Sequence, residues 1–337
     1  MRSTIRQVAE RAGVSRTTVS NVLLGRNDIV APEKRDMVLQ AARDLDYVPV
    51  RSTLQNRHVE TRVIAVPFND PTKIGWAINS GTYTGICKEA MAQSYDVLML
   101  LRSDPDWAVE RSEVQFLDRR SDGIIFASPI IGEGPQTFAA LIRHKIPAVV
   151  CYRRDLPEGI AWVDVDNRAA MYGAVEYLWK RGHRRIVHLS ENLQLSFDNR
   201  ERRRYFSEAM QKFGLDEWSN TVVETHYHAA TPALAEEIIG LGATGVVAMN
   251  DLLAIDLKKA MVNAGLNVPR DLSIVGVDGV EAETYDLTSM EFSFVDIGRK
   301  ATEVLVARIN GQSAQQCSRQ VPVRLVERGS VQDLSRM

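Results

Sequence analysis

The chain has 337 residues, of which 45% are hydrophobic and 25% are charged. This length predicts about two domains, and the lack of any apolar run near the ~18 residues that span a bilayer excludes a membrane protein. No secretory signal precedes the first helical pattern, which favours a cytoplasmic location. Cys87, Cys151 and Cys317 lie far apart without metal-ligand spacing, so we expect buried free thiols rather than disulfides or a zinc site.

The formal net charge of −2 is unevenly distributed along the chain. The first 60 residues carry a net charge of +3, and the remaining residues carry −5. A small basic segment on an acidic body is suited to contact phosphate groups through that segment alone.

The N-terminal segment predicts two short helices joined by a tight turn. Thr4 and Gln7 form a capping box that begins the first helix, and Ser15 is placed to cap the second. The apolar residues at helical spacing are Ile5, Val8, Ala9 and Ala12, then Val19, Val22 and Leu23. Gly13 between the two helices permits the sharp turn of a helix-turn-helix.

The polar face of the second helix carries side chains that can read DNA. Arg16 is suited to a guanine edge, Asn21 to an adenine edge, and Thr17 to a base edge or a thymine methyl group. Ser20 lies on the same face, and Ser15 with the helix N-terminus is placed to hold a phosphate. The alternative is a solvated surface helix that contacts no DNA.

A third helix follows, with Pro32 in its first turn. Its expected buried face consists of Val38, Leu39, Ala42 and Leu45. Three short helices predict an independently folding head over residues 1–48, followed by a linker over residues 49–61.

Four segments of the head have a specific pattern. They are Thr4-Ile5-Arg6-Gln7-Val8-Ala9, Ala12-Gly13-Val14-Ser15, Thr18-Val19-Ser20-Asn21-Val22-Leu23 and Tyr47-Val48-Pro49. Together they resemble the DNA-binding head of the lactose-repressor (LacI/GalR) family. The resemblance implies that Arg16, Thr17 and Asn21 face the bases, and Thr4, Ser15 and Ser20 complete the DNA-binding set expected in the head. Asn21 stands where the family often has Arg, which implies an unusual operator.

The linker departs from the family pattern. The family has a short hinge helix, which ends in a Leu that pairs with its dimer mate and wedges into the minor groove. Asn56 occupies the expected position of that Leu, and Leu54 is the nearby large apolar candidate. Either Leu54 serves as the wedge or the wedge is absent, and a flexible, partly basic tether is the alternative.

From Arg62 onward, short apolar runs alternate with helical stretches. The expected strands are Val63–Phe68, Val97–Leu101, Gly123–Ala127, Ala148–Cys151, Ile186–Ser190, Val222–Glu224, Gly245–Met249 and Ile274–Val277. The expected helices are Tyr83–Gln93, Ala108–Arg120, Thr137–His144, Arg168–Lys180, Arg202–Phe213, Pro232–Ile239 and Leu252–Ala264. This alternation predicts an α/β body of two lobes, each a doubly wound parallel sheet. Ligands of such sheets bind beyond the carboxyl ends of the strands.

The body carries further landmarks of the same family. They are residues 163–168, 182–186, 250–251, 268–278, 297–301 and 326–330. These segments resemble the two-lobed, periplasmic-binding-protein-like body of the LacI/GalR family. The resemblance implies one lobe over about 62–163 and 293–320, and a second over about 164–292 and 321–337. The final strand, near Val321–Glu327, would then join the second lobe.

Polar residues follow several expected strands of the second lobe. Asn250 and Asp251 follow one strand directly, Asp278 follows another, and Arg202 opens a helix after a third. Such donors and acceptors suit a hydroxyl-rich ligand, and the resemblance assigns effector contacts to Arg202, Asn250 and Asp278. Asp251 is expected to cap the helix that it begins. A simple turn residue is the alternative for Asp278.

The first lobe offers a second set of candidate effector contacts. Asn69, Asp70 and Trp76 follow the first strand, and Trp76 is the candidate aromatic platform for a sugar ring. A packed surface aromatic is its alternative. Tyr152, in the segment Cys151-Tyr152-Arg153, stands near where many relatives carry Asp after the fourth strand, and a Tyr and an Arg there would suit a carboxylate or phosphate.

The sequence as a whole predicts a DNA-binding transcriptional regulator, in particular a repressor, with no cofactor. A homodimer would bind a pseudo-palindromic operator under control of a small polar effector, such as a sugar. We expect dimer contacts in the helices Tyr83–Gln93 and Leu252–Ala264. A solute-binding protein of a transport system is the alternative, but it leaves the head unexplained. No dinucleotide-binding, P-loop or nucleophile-elbow motif in a suitable context supports an enzyme.

Two remaining features are expected to have no special function. Arg200, Arg203 and Arg204 belong to a solvated helix face rather than a second nucleic-acid patch. His226 and His228 alternate as they would on a strand, and we expect no metal site there.

Overall fold

The computed structural model describes residues 3–23, 29–47, 60–68, 74–101, 116–127, 135–191, 197–218, 221–225 and 230–335. It begins with a head of three helices, which are α1 Ile5–Ala12, α2 Arg16–Leu23 and α3 Pro32–Asp44. Thr4 caps α1 through a capping box with Gln7, as the sequence predicts. Gly13 follows in the left-handed conformation, with φ at 62°, and turns the chain sharply into α2.

The head has a small core of its own. Val8, Val19 and Val38, one from each helix, are fully buried. They belong to an apolar cluster that includes only residues of the head. Each helix therefore buries an apolar face against the other two, as the amphipathic pattern predicts.

The rest of the described chain contains two six-stranded sheets. The first sheet consists of β1 Val63–Phe68, β2 Asp96–Leu101, β3 Gly123–Phe126, β4 Ala148–Cys151, β5 Ala161–Val165 and β11 Arg319–Val321. The second sheet consists of β6 Ile186–Glu191, β7 Val222–Thr225, β8 Gly245–Ala248, β9 Ser273–Asp278, β10 Thr288–Glu291 and β12 Arg324–Val326. Their strand orders are β11-β5-β4-β3-β1-β2 and β12-β10-β9-β8-β6-β7. Adjacent strands are parallel except β10 and β12, which are antiparallel.

Helices cover both faces of each sheet. They are α4 Ala77–Ala92, α5 Pro135–Arg143, α6 Asn167–Lys180, α7 Phe197–Lys212, α8 Pro232–Gly240, α9 Asp251–Asn263, α10 Phe294–Ile309 and the short α11 Ala314–Cys317. In the first sheet α4 and α10 share one core and α5 contributes to the other. In the second, α6 and α7 lie opposite α8 and α9. Within the described ranges, no helix is both long and apolar enough to cross a membrane.

The predicted α/β architecture is confirmed, but three strands were not predicted. They are β5, β10 and β11. Strand β10 has the sequence Thr-Ser-Met-Glu, whose first three residues are buried although two of them are polar. Strand β11 has only three residues. Because short or polar strands carry little hydrophobic alternation, sequence periodicity does not reveal β10 and β11. Strand β5 is mostly apolar, but Asp164 interrupts its apolar run.

Several helix ends also differ from the predicted ones. Helix α4 begins at Ala77 rather than Tyr83, and α7 begins at Phe197 rather than Arg202. The added first turn of α7 is Phe-Asp-Asn-Arg, which is mostly polar and shows no apolar stripe. Most of the predicted helix Ala108–Arg120 lies outside the described residues.

The chain passes between the two sheets three times. The crossings lie between β5 and α6, between β10 and α10, and between β11 and β12. We call the first sheet with its helices the first lobe, and the second sheet with its helices the second lobe. Strand β11 lies in the first sheet and the last strand, β12, lies in the second, while the lobe boundaries stay a prediction.

Helices α4 and α10 approach each other closely through two glycines. A Cβ atom at Gly85 would lie 2.0 Å from the backbone oxygen of Val295, and one at Gly298 would lie 1.9 Å from the backbone oxygen of Thr82. Any side chain at these positions would therefore push the helices apart. The contact joins an early and a late segment of the chain within one lobe.

Candidate nucleic-acid interface and ligand cleft

The second helix of the head presents a polar face outward. Arg16 and Thr17 are exposed and Ser20 and Asn21 are half-buried, whereas Val19 on the opposite face is fully buried. Among the described residues, no acidic side chain forms an ion pair with Arg16. The three residues predicted to read bases therefore lie together with Ser20 on one accessible surface.

The first turn of α2 is held by its own cap. The Ser15 hydroxyl accepts a hydrogen bond from the Thr18 amide at 3.1 Å and lies 2.9 Å from the Thr18 hydroxyl. Thr4 at the start of α1 is likewise occupied by its capping box and is exposed. Both residues shape helix ends, which is compatible with a phosphate contact there. Leu54 lies outside the described residues.

A buried ion pair lies at the carboxyl edge of the second sheet. The Arg202 side chain on α7 is 5% exposed, and its Nη2 lies 2.9 Å from Oδ1 of Asp278 at the end of β9. Its Nε donates to Oδ1 of Asn167 at 2.9 Å, and its Nη1 donates to the backbone oxygen of Met249. Because a buried charge is tolerated only when it is paired and hydrogen-bonded, these contacts fix the guanidinium plane.

Asp278 is unusual in both its ionisation and its backbone. Burial raises the pKa of Asp278 to about 6, and the Arg202 charge counteracts part of that rise. Its φ is 112°, in the region that favours glycine. Tyr152, at the end of β4 in the other lobe, also has a positive φ of 63°. Such backbone strain persists only where the surroundings enforce it, and it clusters at ligand sites.

The structure assigns the helix cap beside this pair to Asn250, not to Asp251. Oδ1 of Asn250 accepts the Leu253 amide at 2.8 Å, which leaves the Asn250 amino group for another partner. The prediction that Asp251 caps the helix is wrong, since its carboxylate points into the lobe and is fully buried. There it accepts the Ser289 hydroxyl at 2.7 Å and the Val280 amide at 2.8 Å.

Burial also raises the pKa of Asp251 to about 7, and the neighbouring charge of Asp278 adds to that rise. A Cβ atom at Gly276 would lie 2.0 Å from its Oδ1, so this carboxylate fits only against glycine. Asp251 therefore supports the end of β9 from behind rather than facing the cleft.

Sequence reasoning missed a second arginine in this region. Nε of Arg154 lies 2.8 Å from Oδ2 of Asp164, which is fully buried on β5. Burial raises the pKa of Asp164 well above its usual value, Asp198 nearby adds to the rise, and Arg154 opposes it. The available signal was Asp164 itself, a charged residue within an otherwise apolar strand.

The first-lobe candidates are only partly described. Trp76, immediately before α4, is 37% exposed, which suits an aromatic platform. Tyr152 is buried, and its hydroxyl lies 2.6 Å from that of Thr82. Asn69 and Asp70 lie outside the described residues.

The structure gives no support to an anion site at Tyr152 and Arg153. Nε of Arg153 lies 2.5 Å from Oδ1 of Asp155. Arg153 is therefore already paired with a carboxylate, while the Tyr152 hydroxyl is occupied by Thr82. The contribution of Tyr152 to effector binding stays a prediction.

The remaining predictions concern charged and sulfur-containing side chains. Arg203 and Arg204 are exposed and paired with carboxylates of their own lobe, as expected of a solvated face, whereas the exposed Arg200 pairs with Asp155 of the other lobe. Cys151 and Cys317 are buried, as predicted. The prediction of a buried thiol is wrong for Cys87, which is exposed on the solvent side of α4. His226 and His228 lie outside the described residues, within which no metal-ligating cluster occurs.

Comparison with known proteins gives matches for both parts of the chain. The family model "Bacterial regulatory proteins, lacI family" matches residues 4–50, and the model "Periplasmic binding protein-like domain" matches residues 175–331. The chain is 28% identical to the HTH-type transcriptional repressor PurR of Vibrio cholerae serotype O1 (strain M66-2) over 345 residues, 99% of each chain. It is 28% identical to Catabolite control protein A of Priestia megaterium over 339 residues, 98% of this chain and 99% of the relative.

Solved structures agree with these matches. A regulatory protein of the LacI family from Chloroflexus aggregans is 26% identical, with a TM-score of 0.68 over 80% of this chain and 99% of that one. The lac repressor dimer bound to operator and the anti-inducer ONPF shares the fold, at 22% identity and a TM-score of 0.69 over 98% and 100% of the two chains.

A helix-turn-helix head joined to a two-lobed body defines a class of ligand-responsive, DNA-binding transcriptional regulators. Over residues 4–50 the chain matches the lacI family of bacterial regulatory proteins within that class. Its relatives are regulators rather than enzymes, and the match over residues 4–50 accounts for the head that a solute-binding protein would leave unexplained.

Proposed function

We propose that this protein represses transcription as a homodimer on a pseudo-palindromic operator, and that a neutral sugar or sugar derivative held between the lobes controls its affinity for DNA. The observation that carries the effector proposal is the buried pair of Arg202 and Asp278 at the carboxyl edge of the second sheet. Since operator DNA lies in the cytoplasm, the protein acts there.

The DNA contacts are proposed from the accessible face of α2. Arg16, Thr17 and Asn21 read base edges, and Ser20 lies beside them on the same face. Thr4 and Ser15 hold phosphates at the starts of α1 and α2. Leu54 is the proposed wedge in the minor groove.

The effector contacts are proposed from the charges of the cleft. Arg202 is already neutralised by Asp278, so the pair offers hydrogen-bonding groups rather than a net positive charge. The amino group of Asn250, for which no partner is found among the described residues, adds a donor, and the exposed Trp76 adds an aromatic face. Such a set favours a hydroxyl-rich, neutral ligand over an anion. The proposed site is completed by Asn69, Asp70 and Tyr152.

Two neighbours in the same fold support this class of effector. One is a transcriptional regulator CelR in complex with cellobiose, at 24% identity and a TM-score of 0.69 over 98% of this chain and 100% of that one. The other is a LacI family regulator from Enterococcus faecium with bound ribose, at 22% identity and a TM-score of 0.65 over 81% and 99%.

The DNA half of the proposal is tested with duplexes selected from a random library by the wild-type protein. Arg16→Ala should reduce discrimination between a selected and an unrelated duplex by about 5- to 150-fold, the value of one bidentate base contact. Arg35→Ala on α3 removes the same charge and should weaken binding to both duplexes alike. The proposal fails if no duplex binds at low salt, or if Arg16→Ala discriminates as well as the wild type.

The effector half is tested by a thermal-shift screen of sugars, sugar acids, phosphates and nucleosides. Neutral sugars should raise the unfolding temperature most. Asp278→Asn and Arg202→Lys should each lose most of that shift while still binding the selected duplex. Glu283→Gln, which changes an exposed carboxylate a few residues after β9, should respond like the wild type. Full responses from both site variants would place the effector elsewhere.

A further inference from the structure

Two ion pairs join the lobes beside the cleft, and their charges run in opposite directions. Nη2 of Arg154 in the first lobe lies 3.1 Å from Oε2 of Glu201 in the second. Nη2 of Arg200 in the second lobe lies 3.2 Å from Oδ2 of Asp155 in the first. We call these four residues the cross-lobe clasp. Each lobe contributes one cation and one anion at adjacent positions of the chain.

Three members of the clasp are also positioned within their own lobes. Arg154 is held by Asp164 at 2.8 Å and lies over the Trp162 ring, with its guanidinium carbon 5.8 Å from the ring centroid. Arg153 holds Asp155, and Arg204 holds Glu201 at 3.0 Å. Because these side chains are already ordered, bringing the lobes together costs less side-chain entropy than forming an isolated surface pair.

The two pairs differ in their exposure to solvent. The side chains of Arg154 and Glu201 are 21% and 17% exposed, so water and salt screen this pair incompletely. Those of Arg200 and Asp155 are 52% and 43% exposed, which makes the second pair weaker and salt-sensitive. The pair of Arg154 and Glu201 therefore contributes most of the attraction between the lobes. The pair of Arg200 and Asp155 contributes mainly to their alignment.

The opposite polarity of the two pairs fixes how the lobes meet. A shift of one lobe by one residue along the contact would bring Arg154 towards Arg200, or Asp155 towards Glu201. Such like-charge contacts are repulsive. The arrangement consequently favours one closed position of the lobes over neighbouring ones.

We propose that the cross-lobe clasp holds the two lobes in this closed arrangement without any ligand. Three short connections join the lobes and allow a hinge motion about them. The clasp shifts the equilibrium of this motion towards the closed arrangement. An effector that prefers the closed arrangement would bind more tightly because of the clasp, and one that prefers an open arrangement would have to break it. This last consequence rests on the proposed effector control, but the clasp itself does not.

The test measures the distance between the lobes in the absence of DNA and ligand. Cys87→Ser removes the exposed thiol on α4, where dimer contacts are expected, and spin labels are placed on Ala139→Cys, an exposed position on α5 of the first lobe, and on Gln211→Cys, an exposed position on α7 of the second. A second label pair uses Ala139→Cys with Glu237→Cys, an exposed position on α8 of the second lobe. Labelled chains are mixed with excess unlabelled chains, so that a labelled dimer holds one labelled copy. Distances between the two labels are measured by pulsed electron–electron double resonance.

The parent protein should show one dominant distance for each label pair. Glu201→Gln with Arg200→Gln should raise the ratio of open to closed molecules by about two- to thirtyfold, the combined effect of two ion pairs. Arg203→Gln is the matched control, since it breaks a pair with Glu224 of similar length and exposure inside the second lobe. This control should leave both distance distributions unchanged.

Charge reversal tests whether the specific pairing matters. Arg200→Glu should open the lobes, and adding Asp155→Lys should restore most of the closed population. Raising the salt concentration should open the parent but have little effect on the double Gln variant. Unchanged distances in the double Gln variant, or no restoration by Asp155→Lys, would overturn the proposal. Because no ligand is used, such a failure would leave the proposed effector site standing, and a failed effector screen would leave the clasp standing.

Discussion

The close approach of α4 and α10 leads to a quantitative prediction for Gly298→Ala. The added Cβ would lie 1.9 Å from the backbone oxygen of Thr82 and 2.8 Å from the backbone nitrogen of Ile86. Favourable contacts of carbon atoms lie near about 3.5 Å, so the helices must separate by more than about 1 Å. Both opposing atoms are backbone, and no change of rotamer can relieve the clash.

The expected cost follows from two opposing effects. Overpacking of this kind costs about 1–3 kcal/mol. Gly298→Ala lies at the upper end of this range, because the opposing atoms are backbone atoms and no flexible side chain can move aside. Alanine recovers about 1 kcal/mol through its higher helix propensity. The net loss is about 2 kcal/mol, which corresponds to a fall in unfolding temperature of about 4–8 °C for a domain of this size.

Thermal unfolding followed by circular dichroism measures this fall. Gly240→Ala at the end of α8 is the matched control, because a Cβ there meets no atom within 4 Å. It should unfold at or slightly above the wild-type temperature. If Gly298→Ala is as stable as Gly240→Ala, the two helices do not cross as closely as described and the reasoning is refuted.

Three further predictions concern buried charge and backbone strain. The folded-state pKa of Asp251, about 7, exceeds its ordinary value, so the wild type should lose stability as the pH rises from about 4 to 7. Asp251→Asn should flatten this dependence of the free energy of unfolding, measured in urea at pH 5, 6 and 8. An unchanged slope would contradict the prediction. Arg154→Met leaves the buried Asp164 without its cation and should lower the free energy of unfolding by about 3 kcal/mol at pH 8. The loss should be smaller at pH 5 in the same assay, because burial favours the protonated form of Asp164. A loss that does not depend on pH would argue against the pairing. Gly13→Ala places a side chain in the left-handed conformation, where no other atom lies within 4 Å, so backbone strain alone should lower the stability of the head by about 1 kcal/mol. DNA binding should therefore weaken on warming. Equal unfolding temperatures of Gly13→Ala and the wild type would show that the turn has another conformation.

The head was predictable from its sequence because its signals are local. A capping box begins α1, Gly13 closes it, and Ser15 caps α2, all within twelve residues. The body's sheets were predictable where a strand carries its own apolar run. Strand β10 was not, because its burial arises from neighbours β9 and β12 rather than from its own composition.

The site was predictable only in part for the same reason. Asn250 and Asp278 could be named because they lie at the carboxyl ends of parallel strands, which meet at one edge of a sheet. Arg202 lies on the helix after a third strand, and the family resemblance assigned it to the same site. The contact of Arg154 with Glu201 joins residues 47 positions apart across two lobes. No spacing in the sequence announces such a contact, since it depends on how the chain between β4 and β5 folds.

The three connections between the sheets bear on how this protein could be dissected. The first sheet takes its edge strand β11 from near the end of the chain, and α4 is covered by the late helix α10. A fragment that stops at Val165 would therefore leave one face of its sheet bare and an apolar helix surface open to water. Only the head, with a core drawn from adjacent residues, can be excised as an uninterrupted piece. A premature stop in the gene near residue 290 would thus damage the lobe encoded first.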